Sequence, residues 1–437
     1  MTKRTRTWLF ILLGAVFLIG APALIFYSQG YRFDWENRGF SQSGAFYFSV
    51  IPGRAEILVN TKSIGRTAPV LGTTLTKNFA PGTYHIQIQK EGYHSWKKRL
   101  DISAKQVTEA KHIILFPQNP NFVTLHDNVK SFWLAPNNRD VLLQKTNARN
   151  TLGLVLWDTQ KNLEYPLYES SRLQDEVFEV KWAEDSNSFL LRIASKEQLQ
   201  NFVQQIDRSL FENQKTVQES LQAAAQLREE HTQNPLTQNA AASLENRMEL
   251  VWLDQNGILW QQAGRDMRLV ALNKKPLSLK AETAYTIHSV GGEFFIQENQ
   301  TLYRFIRESG AFEEFFSPFY EMVLSPDQKK LALSTGKEIW LYFLQDDQEQ
   351  PFHSRGEKIF LTRFSEDVKN LTWLTAHYLM FARGNTIMVS EIDNRDHLNT
   401  TELASFPQQP RFFWQTSTKA LFVHIGSQLR MSEKLLP

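Results

Sequence analysis

The chain contains no cysteine. That excludes disulfides, thiolate metal sites, cysteine nucleophiles and a lipid anchor on cysteine, but leaves the compartment open. An excess of charge of either sign is also missing: 48 basic against 46 acidic side chains give a formal charge of +2. So even a balance leaves no electrostatic footprint for nucleic acid. No Gly-x-Ser-x-Gly, His-Glu-x-x-His, phosphate-cradling glycine loop or EF-hand spacing occurs, so the usual enzyme signatures are absent. The ten histidines stand singly, as at His85, His126, His288 and His424, without an i, i+4 pair for zinc on a helix. No catalytic, cofactor-binding or metal-binding residue is assigned from the sequence, no cofactor is expected, and the expectation is a protein that is not an enzyme.

Long apolar runs are missing too, with one exception. The segment WLFILLGAVFLIGAPALIFY carries no charge over twenty residues. At about 1.5 Å per residue it matches a hydrocarbon core of about 30 Å. Trp8, Leu9, Phe10, Ile11, Leu12, Leu13, Val16, Phe17, Leu18, Ile19, Leu24, Ile25, Phe26 and Tyr27 form the expected anchor, with Trp8 and Tyr27 at the two interfaces. Lys3, Arg4 and Arg6 precede it, so the positive-inside rule keeps the tip cytoplasmic and sends the rest outward. The alternative is a signal peptide cleaved after Ala21-Pro22-Ala23, a small-x-small site; against it the apolar run continues through Leu24, Ile25 and Phe26. The remaining composition, 42% hydrophobic and 12% aromatic over 437 residues, is that of a globular chain of two or more domains.

After the anchor, short bursts of alternating apolar and polar residues predict strands at 46–51, 56–60, 83–89, 97–102 and 112–116. Pro52-Gly53 and Pro81-Gly82 supply turns, proline presetting φ and glycine accepting positive φ. The ordered set Pro52, Gly53, Ala55, then Gly65 and Pro69, then Pro81, Gly82 and Tyr84, then Gly92 and Tyr93 resembles a PEGA domain. The Pro-Glu-Gly-Ala turn that names the family reads Pro-Gly-Arg-Ala here, and Ala68 is an extra residue between Thr67 and Pro69. The resemblance implies a small β-sandwich working in a cell envelope, without enzymatic activity. Tyr93 and Trp96 are read either as packing the sandwich or as a stacking platform for a sugar.

From residue 120 onward one theme recurs: a strand ending near an aromatic, a polar turn, an apolar strand, and another strand. It begins at Val129, Val180, Met322, Val368 and Pro410, with a degenerate copy at Tyr285. The stretch from Leu324 through Ser325, Pro326 and Asp327 to Leu333 resembles the Ser-Pro-Asp-Gly turn of TolB-like and WD-like propeller blades, with Gln328 in the glycine position. Six copies of about 45 residues suit four-stranded blades. The last copy lacks its outer strand, which residues 122–125 would supply. An open sandwich or solenoid is the alternative.

Between 193 and 248 the pattern changes. Ser195 and Gln198 read as a capping box, and Leu199, Val203, Ile206, Leu210, Val217, Leu221 and Ala224 as a helical stripe, with a short helix back over 240–247. Such an arm packs on the chain or pairs with a second copy as a coiled coil. Asp254-Gln255-Asn256-Gly257 is expected to be a hairpin turn rather than a calcium loop, and Asp346 and Asp347 a solvated turn.

The reading is therefore a mainly β protein: a cytoplasmic tip at 1–7, a transmembrane helix at 8–27, a linker at 28–44, a PEGA-like β-sandwich at 45–117 and an approximately six-bladed β-propeller at 118–437. A helical insertion at 195–247 interrupts its second blade. The expected partners are the lipid bilayer, through one helix, and an envelope protein or glycan. The expected function is binding or scaffolding outside the membrane; the alternative is a propeller hydrolase or lyase acting on envelope glycans.

Overall fold

The computed structural model describes residues 3–28, 31–34, 39–146, 151–169, 176–182, 186, 188–195, 198–205, 242–245, 249–263, 268–280 and 283–436. The apolar run forms the helix Lys3–Ser28, which contains Pro22. Its large apolar side chains, from Trp8 at 73% exposure to Phe26 at 52%, pack on no core, which separates it from the interior helix of a soluble protein. A stretch from Thr5 to Phe26 is long and apolar enough to cross a bilayer. Tyr27 sits in its last turn, and a small hairpin, Tyr31–Asp34 with Gly39–Gln42, follows.

Two sheets then face each other. One has Gly44–Ile51 at its centre, antiparallel to Thr73–Phe79 and parallel to Val107–Ile114. The other runs Lys62–Arg66, Glu56–Val59, Gly82–Gln89, Trp96–Ile102. Alternation along each strand turns Phe46, Phe48, Ile57, Ile86, Ile88, Trp96 and Leu100 into one shared core. Lys62–Arg66 and Thr73–Phe79 carry no alternation legible in the sequence because none of their residues is buried. The last strand was expected at 112–116 but begins at Val107, through a polar run without alternation.

The motif residues build the turns of this sandwich. A Cβ on Gly53 would lie 2.5 Å from the carbonyl oxygens of Ala68 and Pro69, so the turn after Pro52 admits only glycine against that loop. The Ala55 N–H donates to Thr67 Oγ1 at 3.0 Å. Gly65 lies in the edge strand, Gly82 opens the strand after Pro81, and the Tyr84 hydroxyl donates to the Ala80 carbonyl at 2.9 Å. Gly92, at φ 78°, turns the chain into Tyr93, whose ring packs on the sandwich core.

Seven antiparallel sheets follow among the described residues, six of them four-stranded and one three-stranded. The expected repeats supply their first strands: Val129–Leu134, Glu176–Trp182, Tyr285–Val290, Glu321–Leu324, Val368–Thr375 and Arg411–Gln415. The seventh sheet, starting at Ala242–Glu245, was not foreseen. Neighbouring sheets share cores: Leu154 with Phe189 between the first and second, Val251 with Ile296 between the third and fourth, Phe295 with Leu333 between the fourth and fifth. Leu341 with Phe381 joins the fifth and sixth, Val389 with Trp414 the sixth and seventh, and Phe422 with Trp157 the seventh and first. Phe122–His126 pairs with Gln428–Ser432 and completes the last sheet, so the first and last parts of this region share one sheet. Among the described residues shared cores thus join six of the seven neighbouring pairs of sheets, an arrangement like that of a propeller ring.

The helical insertion is corrected where the structure describes it. Gln198–Gln205 is a strand paired with Ser188–Ser195, so Ser195 faces Gln198 across a hairpin instead of capping a helix. Leu199 and Val203, four apart, lie on one face of a strand as readily as on a helix, which is why the spacing misled. The expected return helix is likewise a strand over Ala242–Glu245. Ile206, Leu210, Val217, Leu221 and Ala224 lie outside the described residues.

Candidate functional site

The sandwich is docked edgewise onto the fifth and sixth sheets of the ring through Trp96–Ile102 and Val107–Ile114. Along the first strand, Lys98 is fully buried, with Nζ 2.6 Å from Glu391 Oε1 and 2.6 Å from the Asp393 carbonyl. The Trp96 indole N–H donates to Glu391 Oε2 at 2.7 Å. Asn399 clamps the Lys97 backbone in both directions, accepting its N–H at 3.0 Å and donating to its carbonyl at 2.9 Å. Arg99 donates to Asp396 from Nε at 2.8 Å. Along the second strand, Gln350 accepts the Glu109 N–H at 3.1 Å, and the Ile114 N–H donates to the buried Tyr378 hydroxyl at 3.0 Å. Burial pushes that phenol well above its ordinary value. Ile114 and Phe116 also join the core shared by the sixth and seventh sheets.

Two carboxylates of this seam are held below their ordinary value of 3.8. Burial pushes Asp393 up, but the Arg395 hydrogen bond and the Lys98 charge together outweigh it. Asp396 lies well below, chiefly through its hydrogen bond from Arg99. Because the folded seam binds these protons less readily than the unfolded chain, their stabilisation is complete above about pH 4 and drains away as pH falls below that. Limited proteolysis across an acid series is expected to show the sandwich detaching below about pH 4, and Asp396→Asn is expected to flatten that dependence. An unchanged acid profile in the variant would remove Asp396 from the account.

Beside these contacts lies a cavity of about 50 Å³ lined by His112, Asp347, Glu349, His353, His377 and Glu391 among others. His112 comes from the sandwich, Glu349 from the loop between Glu338–Phe343 and Lys358–Arg363, and His377 from the turn between Val368–Thr375 and Tyr378–Arg383. His112 Nε2 is 2.9 Å and His377 Nε2 3.7 Å from Glu349 Oε2. The two imidazoles stack with centroids 3.8 Å apart and planes 5° from parallel. Burial, then the neighbouring His112 and Lys330, lowers His377 from 6.5 to about 4, so it is neutral at pH 7. One ligand atom from each of His112, Glu349 and His377 lies within 4.8 Å of the others, so these are the described residues able to hold a metal.

No sequence spacing announces this group, since its members come from two domains. Of the loop expected as a solvated turn, Asp346 is exposed, whereas Asp347 carries structure. Asp347 is half-buried, accepts the Glu349 N–H at 3.1 Å and pairs with Lys330 at 3.2 Å. Lys330 is itself buried in the Ser-Pro-Asp turn, where Asp327 binds its Nζ at 3.0 Å and Gln328 takes the glycine's place at φ 59°. Asp254 does form a turn: it accepts the N–H groups of Asn256 and Ile258 and the Trp260 indole. Trp96 is buried in the sandwich with its polar edge on Glu391, whereas Tyr93 borders an open polar groove with Arg54, Arg66 and Gln89.

Residues 48–114 match the family model of the PEGA domain. No curated protein matches the chain. Among solved structures it is similar to a chain of the mitotic checkpoint complex at 12% identity, over 73% of this chain and 92% of that one, with a TM-score of 0.45. Streptogramin B lyase aligns at 11% identity over 72% and 98%, with a TM-score of 0.42. The extracellular domain of a hybrid two component system from B. thetaiotaomicron aligns at 11% over 72% and 39%, with a TM-score of 0.43.

Proposed function

We propose, with the PEGA domain at 48–114 as the premise, that this chain is a membrane-anchored, extracytoplasmic scaffold of the cell envelope that binds and does not catalyse. The observation that carries the reading is the seam. A buried ion pair, reciprocal backbone clamps and a continuous apolar core fasten the PEGA domain to the ring, so the two act as one presenting body. A protein or glycan of the envelope is its partner, taken by the faces of the ring. Helix Lys3–Ser28 spans the bilayer with the basic tip inside.

The absence of native cysteine makes the topology directly testable. Thr2→Cys and Lys105→Cys, introduced separately, are expected to respond oppositely to a membrane-impermeant maleimide: Lys105→Cys labels in intact cells or spheroplasts, Thr2→Cys only after lysis. Labelling of both, or recovery of a mature chain beginning after Ala23, would overturn the anchored topology. Binding is tested by capture from detergent-solubilised envelopes, comparing the full chain with one lacking residues 206–241, a deletion that spares the strands on either side. Hydrolysis or cleavage of envelope glycan by the purified chain would favour the enzymatic alternative.

A further inference from the structure

The geometry points to a transition-metal site bridging the PEGA domain and the ring, with His112, His377 and Glu349 as ligands for a zinc-class divalent cation. Two imidazoles and one carboxylate are the donor set that suits zinc, copper, nickel or iron, in contrast to the all-oxygen sets of magnesium and calcium. The adjoining cavity of about 50 Å³ leaves room for water to complete the coordination, as in sites with three protein ligands.

Each ligand is positioned by something other than its neighbours in the trio. His112 sits where the pairing of Gly44–Ile51 with Val107–Ile114 breaks register: Phe48 pairs with Ala110, but Val50 with Ile113. The extra residue bulges the strand, and His112 takes the left-handed conformation at φ 58°. Bulges of this kind re-aim a side chain at some cost in backbone strain, and here the ring comes to face the propeller-like body. Glu349 is fixed by its own N–H on Asp347 and by Gln350, which bonds the Val107 and Glu109 backbone. The His377 N–H donates to Thr375 Oγ1 at 3.1 Å. Nearby cations are already matched: Lys330 by Asp327 and Asp347, and Lys111 by Glu109 at 2.6 Å.

Each imidazole lone pair lies in its own ring plane, and two parallel planes share no point where one ion could meet both, so loading requires one imidazole to turn about its Cβ–Cγ bond. His112, with 43% of its side chain exposed, has the room to do so. The bound ion then replaces ring stacking with bonds that tie the two domains together.

The test uses the full chain in detergent after treatment with EDTA, titrated with Zn²⁺ and, for its visible d–d bands, Co²⁺. One ion per chain is expected, with tetrahedral-type Co²⁺ absorption and a rise in the melting temperature of the intact body. His112→Ala and His377→Ala are each expected to weaken Zn²⁺ binding by about tenfold or more, whereas exposed His85→Ala leaves it unchanged. His112→Ala is decisive should the more buried His377→Ala fail to fold. Absence of stoichiometric binding, equal affinity in His112→Ala and wild type, or equal affinity for Ca²⁺ would overturn the site. None of these outcomes bears on membrane topology or on capture of an envelope partner, so the proposed function stands or falls separately.

Discussion

A chain ended after Ile425 is expected to accumulate as insoluble or rapidly proteolysed protein. The missing tail contains Gln428–Ser432, which pairs on one side with Phe122–His126 and on the other with Ala420–Ile425. Without it the ring cannot close, and the strand at the front of the region has no partner. Leu429, fully buried, and Leu435, at 3% exposure, are lost from two separate inter-sheet cores. Leu421 and Phe422, at 0% and 1%, are opened to water along the new edge. Each large apolar side chain exposed costs about 1.5–3 kcal/mol. Several together consume a net stability of about 5–15 kcal/mol, before the aggregation hazard of a bare edge is counted. Leu429→Ala is the graded form of the experiment, expected to cost about 2–5 kcal/mol while still folding. Soluble, protease-resistant truncated protein would show that closure by Phe122–His126 is dispensable.

Lys98→Met is expected to weaken the seam by about 3–5 kcal/mol, because it leaves Glu391 charged and unpaired in a buried place. The local loss is expected to appear in calorimetry as one thermal transition dividing into two, the PEGA domain separating from the ring before either unfolds. Adding Glu391→Gln removes the stranded charge but keeps only one of the two acceptor oxygens, so either the Trp96 indole or Asn399 loses its partner, and the pair of changes is expected to recover part of the loss. If Lys98→Met alone leaves a single transition at the wild-type temperature, the ion pair does not hold the domains together.

What was legible in the sequence follows the range of the interactions concerned. The sandwich and the repeats were readable because alternation and turn chemistry are local: Pro52-Gly53 and Ser325-Pro326-Asp327 dictate their own backbone. The seventh sheet was hidden because Leu199 and Val203 satisfy both a helical and a strand period, and this drew the whole of 195–247 toward helix. Ring closure was suggested by an incomplete last copy, a pattern of counting rather than chemistry. The seam lay beyond reach. Nothing in Lys98, the middle of the basic run Lys97-Lys98-Arg99, foretells a burial partner at 391, and His112 and His377 share no spacing. The one local hint was His112 itself, a polar residue within Ala110-Lys111-His112-Ile113-Ile114 where alternation falters.

The short passage between helix and sandwich sets a working distance. Only residues 29–43 separate Ser28 from the strand beginning at Gly44, and two stretches of that passage fold back on each other as a hairpin. Fully extended it would span at most about 50 Å, and the hairpin shortens it. Given the proposed span, the ring patrols a thin layer above the lipid. A partner fixed to the same membrane meets it at a raised effective concentration, so modest contact strength suffices for capture there, whereas a freely diffusing copy of that partner would need a much tighter interface.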